Sequence, residues 1–499
     1  MKVLLINPPL TVFKGGMNPR VYMPFGLLYI AAQLEKEGHN VELFDALLKA
    51  KILKDKNHTD RWHFGETWDV IAKIIEKSNP QVVGITSMFY SQSKNTKKVA
   101  AITKQVNPRI LTVVGGSHPS ANPQDMLIEK TIDFVIVGEG EYVMPRLLDA
   151  IYGQYKMKNI PGLYTYYQGE KIENGIPDRI ENIDTLPIPA YHLYDMERFF
   201  LLQNQGFCAR PAGRGKRQIS IITSRGCPYN CVFCSIHPIM GKIWRAHSAR
   251  YVLEHIEFLK KNYDINLIHF EDDNLSLSRE RFEAILAGIS SRKLNIKWEP
   301  SNGLRADHLD EILIRKTRQS GCQNITIGIE SGVKRVLNEI IDKKLDLAKV
   351  IEVAAICKRL NIELYAYYMI GLPGETLGEI KETLIFAKNM LLRYFIVPQI
   401  SFATPTWGSR LYDICKEYGY FSDRITPERL GIAYDSHGKG LIKTNDFSPE
   451  DLKSLLSRYK RLFLLITILN IFRRPRKFIL YSIILLRNRY LLRRFLLNY

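Results

Sequence analysis

Three cysteines crowd into eight residues of this 499-residue chain, Cys227, Cys231 and Cys234, within Ser224-Arg225-Gly226-Cys227-Pro228-Tyr229-Asn230-Cys231-Val232-Phe233-Cys234. A Cys-x3-Cys-x2-Cys run offers three thiolates from one tight loop. Three ligands suit a cubane 4Fe–4S cluster and leave one iron without a protein ligand. Structural zinc wants four ligands. No second Cys pair or suitable His pair follows, and His237, the neighbouring alternative, is constrained by Pro238. The remaining thiols, Cys208, Cys322, Cys357 and Cys415, are scattered and read as buried or inert rather than as a second cluster. Seven cysteines are too few for a disulfide scaffold of this size, so metal chemistry in a reducing compartment is expected. Four further blocks set polar or acidic groups beside turns: Phe270-Glu271-Asp272-Asp273-Asn274, Asn302-Gly303-Leu304-Arg305, Gly328-Ile329-Glu330-Ser331-Gly332 and Ile370-Gly371-Leu372-Pro373-Gly374-Glu375-Thr376.

These blocks close short apolar runs that read as strands. Candidates are Gln218–Thr223, Leu267–Phe270, Ile296–Pro300, Ile325–Ile329, Glu363–Ile370 and Phe395–Ser401, alternating with helix-period segments through residue 415. That alternation predicts a parallel barrel, complete or partial, with chemistry at the strand C-terminal ends. Ahead of it, residues 1–152 alternate strand candidates Lys2–Asn7, Asn40–Phe44, Gln81–Ser87, Leu111–Gly115 and Asp133–Val137 with helical segments Phe25–Glu37, Trp68–Ser78, Ser93–Val106, Pro123–Lys130 and Glu141–Tyr152. Leu47–Gly65 reads as an insertion, a loop with a short helix. Turn signals at Ile160-Pro161-Gly162, Asn174-Gly175 and Leu186-Pro187-Ile188-Pro189 make residues 153–217 a linker with a small hairpin. Residues 416–459 form a C-terminal cap and 460–499 a basic amphipathic helical tail. The fold class is α/β: an N-terminal flavodoxin-like, doubly wound parallel sheet, then a (β/α)6-type barrel, then a helical C-terminal region.

The cysteine loop, with an aromatic before its last Cys, resembles that of the radical S-adenosylmethionine enzymes, over roughly residues 215–410. The resemblance implies that Cys227, Cys231 and Cys234 hold a 4Fe–4S cluster whose open iron binds S-adenosyl-L-methionine. An electron from a reductant such as ferredoxin or flavodoxin would then release a 5′-deoxyadenosyl radical that abstracts hydrogen from unactivated carbon. By the same resemblance Phe233 lies near the adenine, and Glu271, Asp272 and Asn274 lie where the amino group of the nucleotide is held. Arg305 ends the third barrel strand among the cofactor contacts, Glu330 and Ser331 face the ribose or carboxylate, and Gly371 and Glu375 stand on the adenine side. The family's Gly-x-Ile-x-Gly-x-x-Glu pattern is half kept at that last block: Ile370 and Glu375 fit, while Tyr368 and Leu372 replace glycines.

A flavodoxin-like domain ahead of such a barrel is similar to the cobalamin-binding class of the superfamily. The matching stretches are Asn7-Pro8-Pro9, Pro24-Phe25-Gly26-Leu27, Gly38-His39, Gly115-Gly116-Ser117-His118-Pro119 and Val137-Gly138-Glu139-Gly140-Glu141. Glycines at strand ends admit a cofactor closely, so Gly115, Gly116, Gly138 and Glu139 are expected at cobalamin, with Thr86 and Ser87 hydrogen-bonding its tail. The Asp-x-His-x-x-Gly signature of a lower axial histidine is absent from this domain. Asp435-Ser436-His437-Gly438-Lys439-Gly440 matches that string by chance, far downstream, and His118 reads as a loop residue rather than a cobalt ligand.

The formal charge is +19, and ten Lys or Arg with no acidic residue lie between Lys460 and Tyr499, where 21 of forty residues are Leu, Ile or Phe. Neither apolar run there, Leu462–Phe472 or Phe478–Leu486, approaches the ~20 residues that cross a bilayer. Short apolar helices flanked by Arg lie in the interface with cations on lipid head groups. Phosphate contacts gain nothing from Leu, so nucleic acid is not the expected partner. The start, MKVLLINPPL, reads as a strand and not a signal peptide. The expectation is a cytoplasmic enzyme peripherally bound to the inner face of the membrane. It would methylate, or otherwise functionalise a C–H bond of, a hydrophobic lipid or tetrapyrrole, as the resemblance allows. The rivals are a radical cyclase or carbon–carbon bond-forming enzyme on isoprenoid lipids, and an RNA-modifying radical enzyme. The latter usually carries N-terminal cysteines, and residues 1–207 contain none. Tyr365, Tyr367 and Tyr368 share the fifth barrel strand, so some face its interior; none is assigned as a hydrogen donor.

Overall fold

The computed structural model describes residues 1–13, 19–54, 59–167, 169–176, 179–207, 216–435 and 440–473. Cys208, His437 and the tail beyond Arg473 lie outside the described residues. Five strands, β1 (Lys2–Asn7), β2 (Asn40–Asp45), β3 (Val82–Thr86), β4 (Leu111–Gly115) and β5 (Phe134–Ile136), pair in parallel in the order β2-β1-β3-β4-β5. Helices α1 (Phe25–Lys36), α2 (Trp68–Ser78), α3 (Ser93–Val106) and α4 (Gly140–Ile151) cover both faces. Alternation along each strand explains the continuous apolar runs. Val3, Leu5, Val82 and Val113 pack with Leu27, Ala31 and Leu147, while Leu4, Ile6, Val83 and Val114 pack with Ile71, Ile75 and Val99. Strand order reverses beside β1, so its carboxyl edge is the place where such sheets bind ligands.

Two stretches differ from expectation. The 47–65 insertion holds one 3-10 turn, Ala46–Lys49, and then strands Ile52–Lys54 and Arg61–Phe64, which build a small antiparallel sheet with Leu10–Phe13. An alternating run as short as Arg61–Phe64 does not stand out within a polar insertion. Between residues 153 and 217 the expected small hairpin is present, but it joins the parallel sheet instead of standing apart. In it β6 (Leu163–Tyr167) pairs antiparallel with β5, and β7 (Glu170–Glu173) pairs antiparallel with β6 at the sheet edge. Helix α5 (Met196–Asn204) buries Phe199 and Phe200 in the barrel core beside Tyr191 and Tyr194. Turn residues mark the boundaries of short elements but not where those elements pair.

The barrel consists of β8 (Gln218–Ile221), β9 (Leu267–Phe270) and β10 (Lys297–Pro300) in one parallel sheet, and β11 (Asn324–Glu330), β12 (Glu363–Ile370) and β13 (Val397–Phe402) in another. Single bridges, Trp298 to Cys322 and Leu304 to Ile327, join the two. Among the described residues nothing pairs β8 with β13, so the barrel is open on that side. Helices α6 (Ala249–Tyr263), α7 (Arg279–Ser291), α8 (Glu311–Gln319), α9 (Leu347–Arg359) and α10 (Leu377–Tyr394) pack outside, where Phe282 meets Trp298 edge-on.

The expected boundary at residue 460 is crossed by one helix. After α11 (Pro427–Asp435), α12 (Pro449–Phe472) starts at a capping box between Ser448 and Asp451 and runs for 24 residues. It buries Leu452, Leu456, Phe463 and Ile466, and the Asn470 amide donates to the Leu391 carbonyl of α10 at 2.9 Å. Its other face leaves Leu465, Leu469 and Phe472 exposed at 64%, 50% and 65%. No helix among the described residues is long and apolar enough to cross a membrane. Phe463→Ala is expected to lower stability by about 3–5 kcal/mol through the cavity it leaves. Leu465→Ala, on the exposed face, should stay within about 0.5 kcal/mol; urea denaturation of both variants measures the difference.

Candidate active site at the domain junction

The cluster loop leaves β8 under tight restraint. Asp272 accepts from the Thr223 backbone N–H at 2.8 Å, the Thr223 hydroxyl at 2.6 Å and the Ser224 hydroxyl at 2.7 Å. Asp273 accepts from the Gly226 N–H at 2.8 Å. Gly226 has φ +81° and lies against backbone carbonyls of residues 240–243, so no side chain fits there. Cys227, Cys231 and Cys234 are free and partly buried on this loop. His237 Nε2 donates to the Cys227 carbonyl at 3.1 Å and is thereby taken away from the thiols. Among the described residues no three His, Cys, Asp or Glu side chains converge on a single ion. A cubane spreads its thiolates over separate irons and needs no such convergence, so the donor set fits a cluster rather than one zinc.

Burial pushes all three thiols up, Cys234 to about 12. Cations offset part of this: Arg305 acts on Cys227, and Lys343 and Arg305 on Cys231. Arg305 lies 3.6 Å over the ring of Tyr229, pairs with Asp307 at 2.8 Å and donates to the Lys343 carbonyl. The Tyr229 hydroxyl meets His308 Nε2 at 3.0 Å. Lys343 and Glu330 form a buried pair at 2.8 Å, for which Gly328 leaves the room. Glu330 holds φ +68° at a register shift in β11, a strained conformation for a residue with a side chain. Iron loading would replace the three thiol protons.

The structure separates the strand-end residues singled out by sequence. Asn274, Arg305 and Glu330 border the cysteines, Asn274 and Arg305 lowering the Cys227 thiol that burial raises. Phe233 is half-buried against the barrel core. Glu271 points into the barrel, where the Ser220 hydroxyl donates to it at 3.2 Å. Asp272 braces the loop and is fully engaged. Ser331 turns to the helix layer and pairs with the Thr383 hydroxyl at 2.9 Å. Glu375 accepts from the Gly371 and Leu372 N–H groups at 2.8 and 2.7 Å in a closed turn, with Gly371 against Leu452 of α12. Burial raises the Glu375 carboxyl to about 7. Sequence reasoning missed Tyr229, Asp273 and Lys343. The first two lie inside quoted motifs, whereas Lys343 carries no local signal.

At the flavodoxin-like sheet, Thr86, Ser87, Gly115, Gly116 and Gly138 come together at the carboxyl edge. The Ser87 N–H donates to the Gly115 carbonyl at 2.8 Å, and the Ser120 hydroxyl joins the Gly116 carbonyl to the Gly138 N–H at 2.7 and 2.8 Å. A Cβ on Gly116 would lie 2.8 Å from the Ser87 carbonyl oxygen. The Ser87 hydroxyl is buried without a partner. That glycine cradle and orphaned hydroxyl fit the tail of a cobalamin. His118 is buried with Nε2 on Asp125 at 2.8 Å, as a loop brace.

Glu139 is differently employed. Its oxygens accept from Arg225 at 2.7 Å and Arg245 at 2.6 Å, and Glu141 accepts from Arg225 at 2.6 Å, all four side chains being buried. Arg225 also lies over Tyr29, 5.4 Å from the ring centre. Two acids of the first domain thus clamp the arginine two places before the first cluster cysteine.

Two outcomes follow from these groups. Glu141→Gln leaves Arg225 short of a buried partner and should cost about 3–5 kcal/mol in urea denaturation, while Glu254→Gln on the exposed face of α6 should stay within about 0.5 kcal/mol. Asp45, at the end of β2, accepts from Asn7, Leu47 and Tyr194, and burial raises it from 3.8 to about 7. A raised carboxyl favours folding most while protonated, so its contribution is complete below the unfolded value and is lost as pH rises through about 7. Asp45→Asn should therefore flatten the fall in urea midpoint between about pH 4 and pH 7.

A model of the B12 binding domain matches residues 19–148, and one of the radical SAM superfamily matches residues 221–387. An uncharacterized methyltransferase of Pyrococcus horikoshii is 33% identical over 415 residues, 83% of this chain and 83% of the relative. The cytidylyl-2-hydroxyethylphosphonate methyltransferase of Streptomyces wedmorensis is 27% identical over 492 residues, 93% of this chain and 90% of the relative. The solved structure of the radical S-adenosylmethionine methyltransferase TsrM from Kitasatospora setae shares the fold, with a TM-score of 0.67 at 16% identity over 91% of this chain and 88% of that one. With its cysteine loop in one matched region and its glycine cradle in the other, the chain belongs to the cobalamin-binding radical S-adenosylmethionine enzymes, whose cofactors are a 4Fe–4S cluster, S-adenosyl-L-methionine and cobalamin.

Proposed function

We propose that this enzyme methylates a carbon of a hydrophobic substrate, a lipid or tetrapyrrole, at the inner membrane surface. The clamp of Arg225 by Glu139 and Glu141 carries the methyl-transfer part, because it sets the cluster loop against the edge that would hold cobalamin. Both curated relatives described above are methyltransferases by name. When bound, the cofactors supply homolytic hydrogen abstraction and a transferable methyl group. Cys227, Cys231 and Cys234 would ligate the cluster, and Arg305 and Lys343 would offset its thiolate charge. Phe233, Asn274 and Glu330 would border the nucleotide, and Thr86, Ser87, Gly115, Gly116 and Gly138 would line the cobalamin tail. Glu271 faces the barrel space beyond. A ferredoxin or flavodoxin would serve as electron donor.

The exposed row Leu465, Leu469 and Phe472 supports the membrane part, because it leads directly into the cationic, aliphatic sequence after Arg473. Lipid and pigment extracts of anaerobic cells with and without the gene test the substrate. A lipid or pigment that is one methylene lighter in the deleted strain is the expected result, whereas a two-hydrogen shift would mean cyclisation or carbon–carbon coupling. Flotation with phosphatidylglycerol vesicles tests the surface: the native chain should float, and Leu465→Ser with Leu469→Ser should weaken flotation severalfold without loss of fold.

A further inference from the structure

Two loops wall the glycine cradle, residues 87–92 after β3 and residues 116–121 after β4, and each carries a ring. Tyr90 meets His118 edge-on, with ring centres 5.2 Å apart. The walls already touch through their backbones. The His118 N–H donates to the Ser87 carbonyl at 3.1 Å, and a Cβ on Gly116 would lie 2.8 Å from the same carbonyl oxygen. Passage of a bulky tail between these loops must part them, and parting them separates Tyr90 from His118.

Residues from beyond the barrel hold both rings. Trp407, in the turn after β13, lies 5.4 Å from Tyr90 and 5.5 Å from His118 between ring centres. Its neighbour Gly408, at φ +78°, lies between Pro238 and Ala121, where a Cβ would be 2.7 Å from the proline ring. The Leu411 N–H donates to the Val232 carbonyl at 2.8 Å, so this turn is anchored on the cysteine loop rather than on the walls.

Helix α11 covers the first wall. Gly431 lies against Ser91, whose backbone nitrogen would be 3.2 Å from a Cβ. Leu430, Ala433 and Leu441 are buried with Tyr90 and Trp407 packed against them. Glu428, in the first turn of α11, pairs with Lys94 at 2.6 Å and with Arg61 at 2.7 Å. Lys94 belongs to α3 and Arg61 to the small antiparallel sheet, so one carboxylate bridges two elements of the first domain. Asp60 also pairs with Arg61, whereas Asp423 faces Arg429 instead. These contacts fall at the carboxyl edge of the parallel sheet, where ligands bind, and not along its helical faces.

We infer that Trp407 and α11 form a latch that retains cobalamin. With the three rings in contact and Glu428 paired, the walls stay together, and uptake or release of the cofactor's tail requires the latch to lift. Trp407 and Glu428 are thus positioning residues, acting on the walls through Tyr90, His118 and Lys94. The inference rests on the cradle assignment and is independent of which carbon is methylated.

Protein carrying cluster and hydroxocobalamin is freed of excess cofactor by gel filtration, and the cobalamin still bound is read by visible absorbance at intervals. Trp407→Ala and Glu428→Lys should release it about tenfold faster, since lost contacts appear mainly in the off-rate. Trp407→Phe should restore most of the retention, and iron content should stay unchanged in all three. Raising NaCl from about 0.05 M to about 1 M should speed release from the native chain and leave Glu428→Gln unaffected. Cobalamin loading should also slow hydrogen exchange across α11, a readout that a mere brace would not move. Equal release rates in folded, iron-loaded variants overturn the latch, as does exchange in α11 that ignores the cofactor. Loss of iron together with cobalamin overturns it too, by showing a general loosening. A native chain that takes up no cobalamin refutes the cradle assignment, and the latch with it.

Discussion

The buried set of Arg225, Arg245, Glu139 and Glu141 is the constraint on which the rest of the molecule depends. Charges this deep are expensive to desolvate, and they are tolerated because each carboxylate meets a guanidinium N–H at 2.6 to 2.7 Å. Such a set works as a unit, since removing any member leaves an uncompensated buried charge. Arg225 precedes Gly226 and Cys227 without a flexible residue that could absorb movement, because Gly226 is itself wedged against backbone carbonyls. The orientation of the two domains and the position of the cysteine loop are therefore one property. The regions that would hold the two cofactors can act together only if their domains stay in register, and this contact supplies that register.

Around that anchor, acids divide their labour by burial. Asp272 and Asp273 spend their oxygens on loop donors and shape the loop. Glu330 is held by Lys343 in a backbone conformation that a strand seldom takes, which turns its carboxylate to the mouth. Inside the barrel Glu271 accepts from the Ser220 hydroxyl, and Glu299 is held between His269 and the Asn324 amide. The same residue type thus braces, orients or lines, according to the donors that tertiary structure brings to it.

The C-terminal helix links the chemistry to the surface. Leu452 near its start closes over Gly371 at the end of β12, its middle docks on α10, and its outer face stays apolar toward Phe472. One element therefore seals the back of the barrel mouth and presents an exposed apolar row.

Much of the architecture was legible in the chain. The limits of β1, β4, α2 and α3 followed from period-2 and period-3.6 patterning, because those patterns record burial against neighbours within one layered unit. The cysteine loop was equally legible, since its ligands are local and their spacing alone restricts the chemistry. The direction of the strand-end side chains was not. Asp272, Ser331 and Glu375 occupy the expected positions yet face loop, helix layer and closed turn, because a register shift in β11 and packing from α10 and α12 decide which side each presents. Nor was the clamp legible, for its partners stand 86, 84 and 106 residues apart and no periodicity links them. Sequence by itself determined the layers, the three thiolates and the glycine-edged sheet, all set by local spacing and burial. Tertiary structure alone decided which charges meet, and so how the two cofactor-binding edges are held together, because Coulomb pairing depends on distance in space and not along the chain.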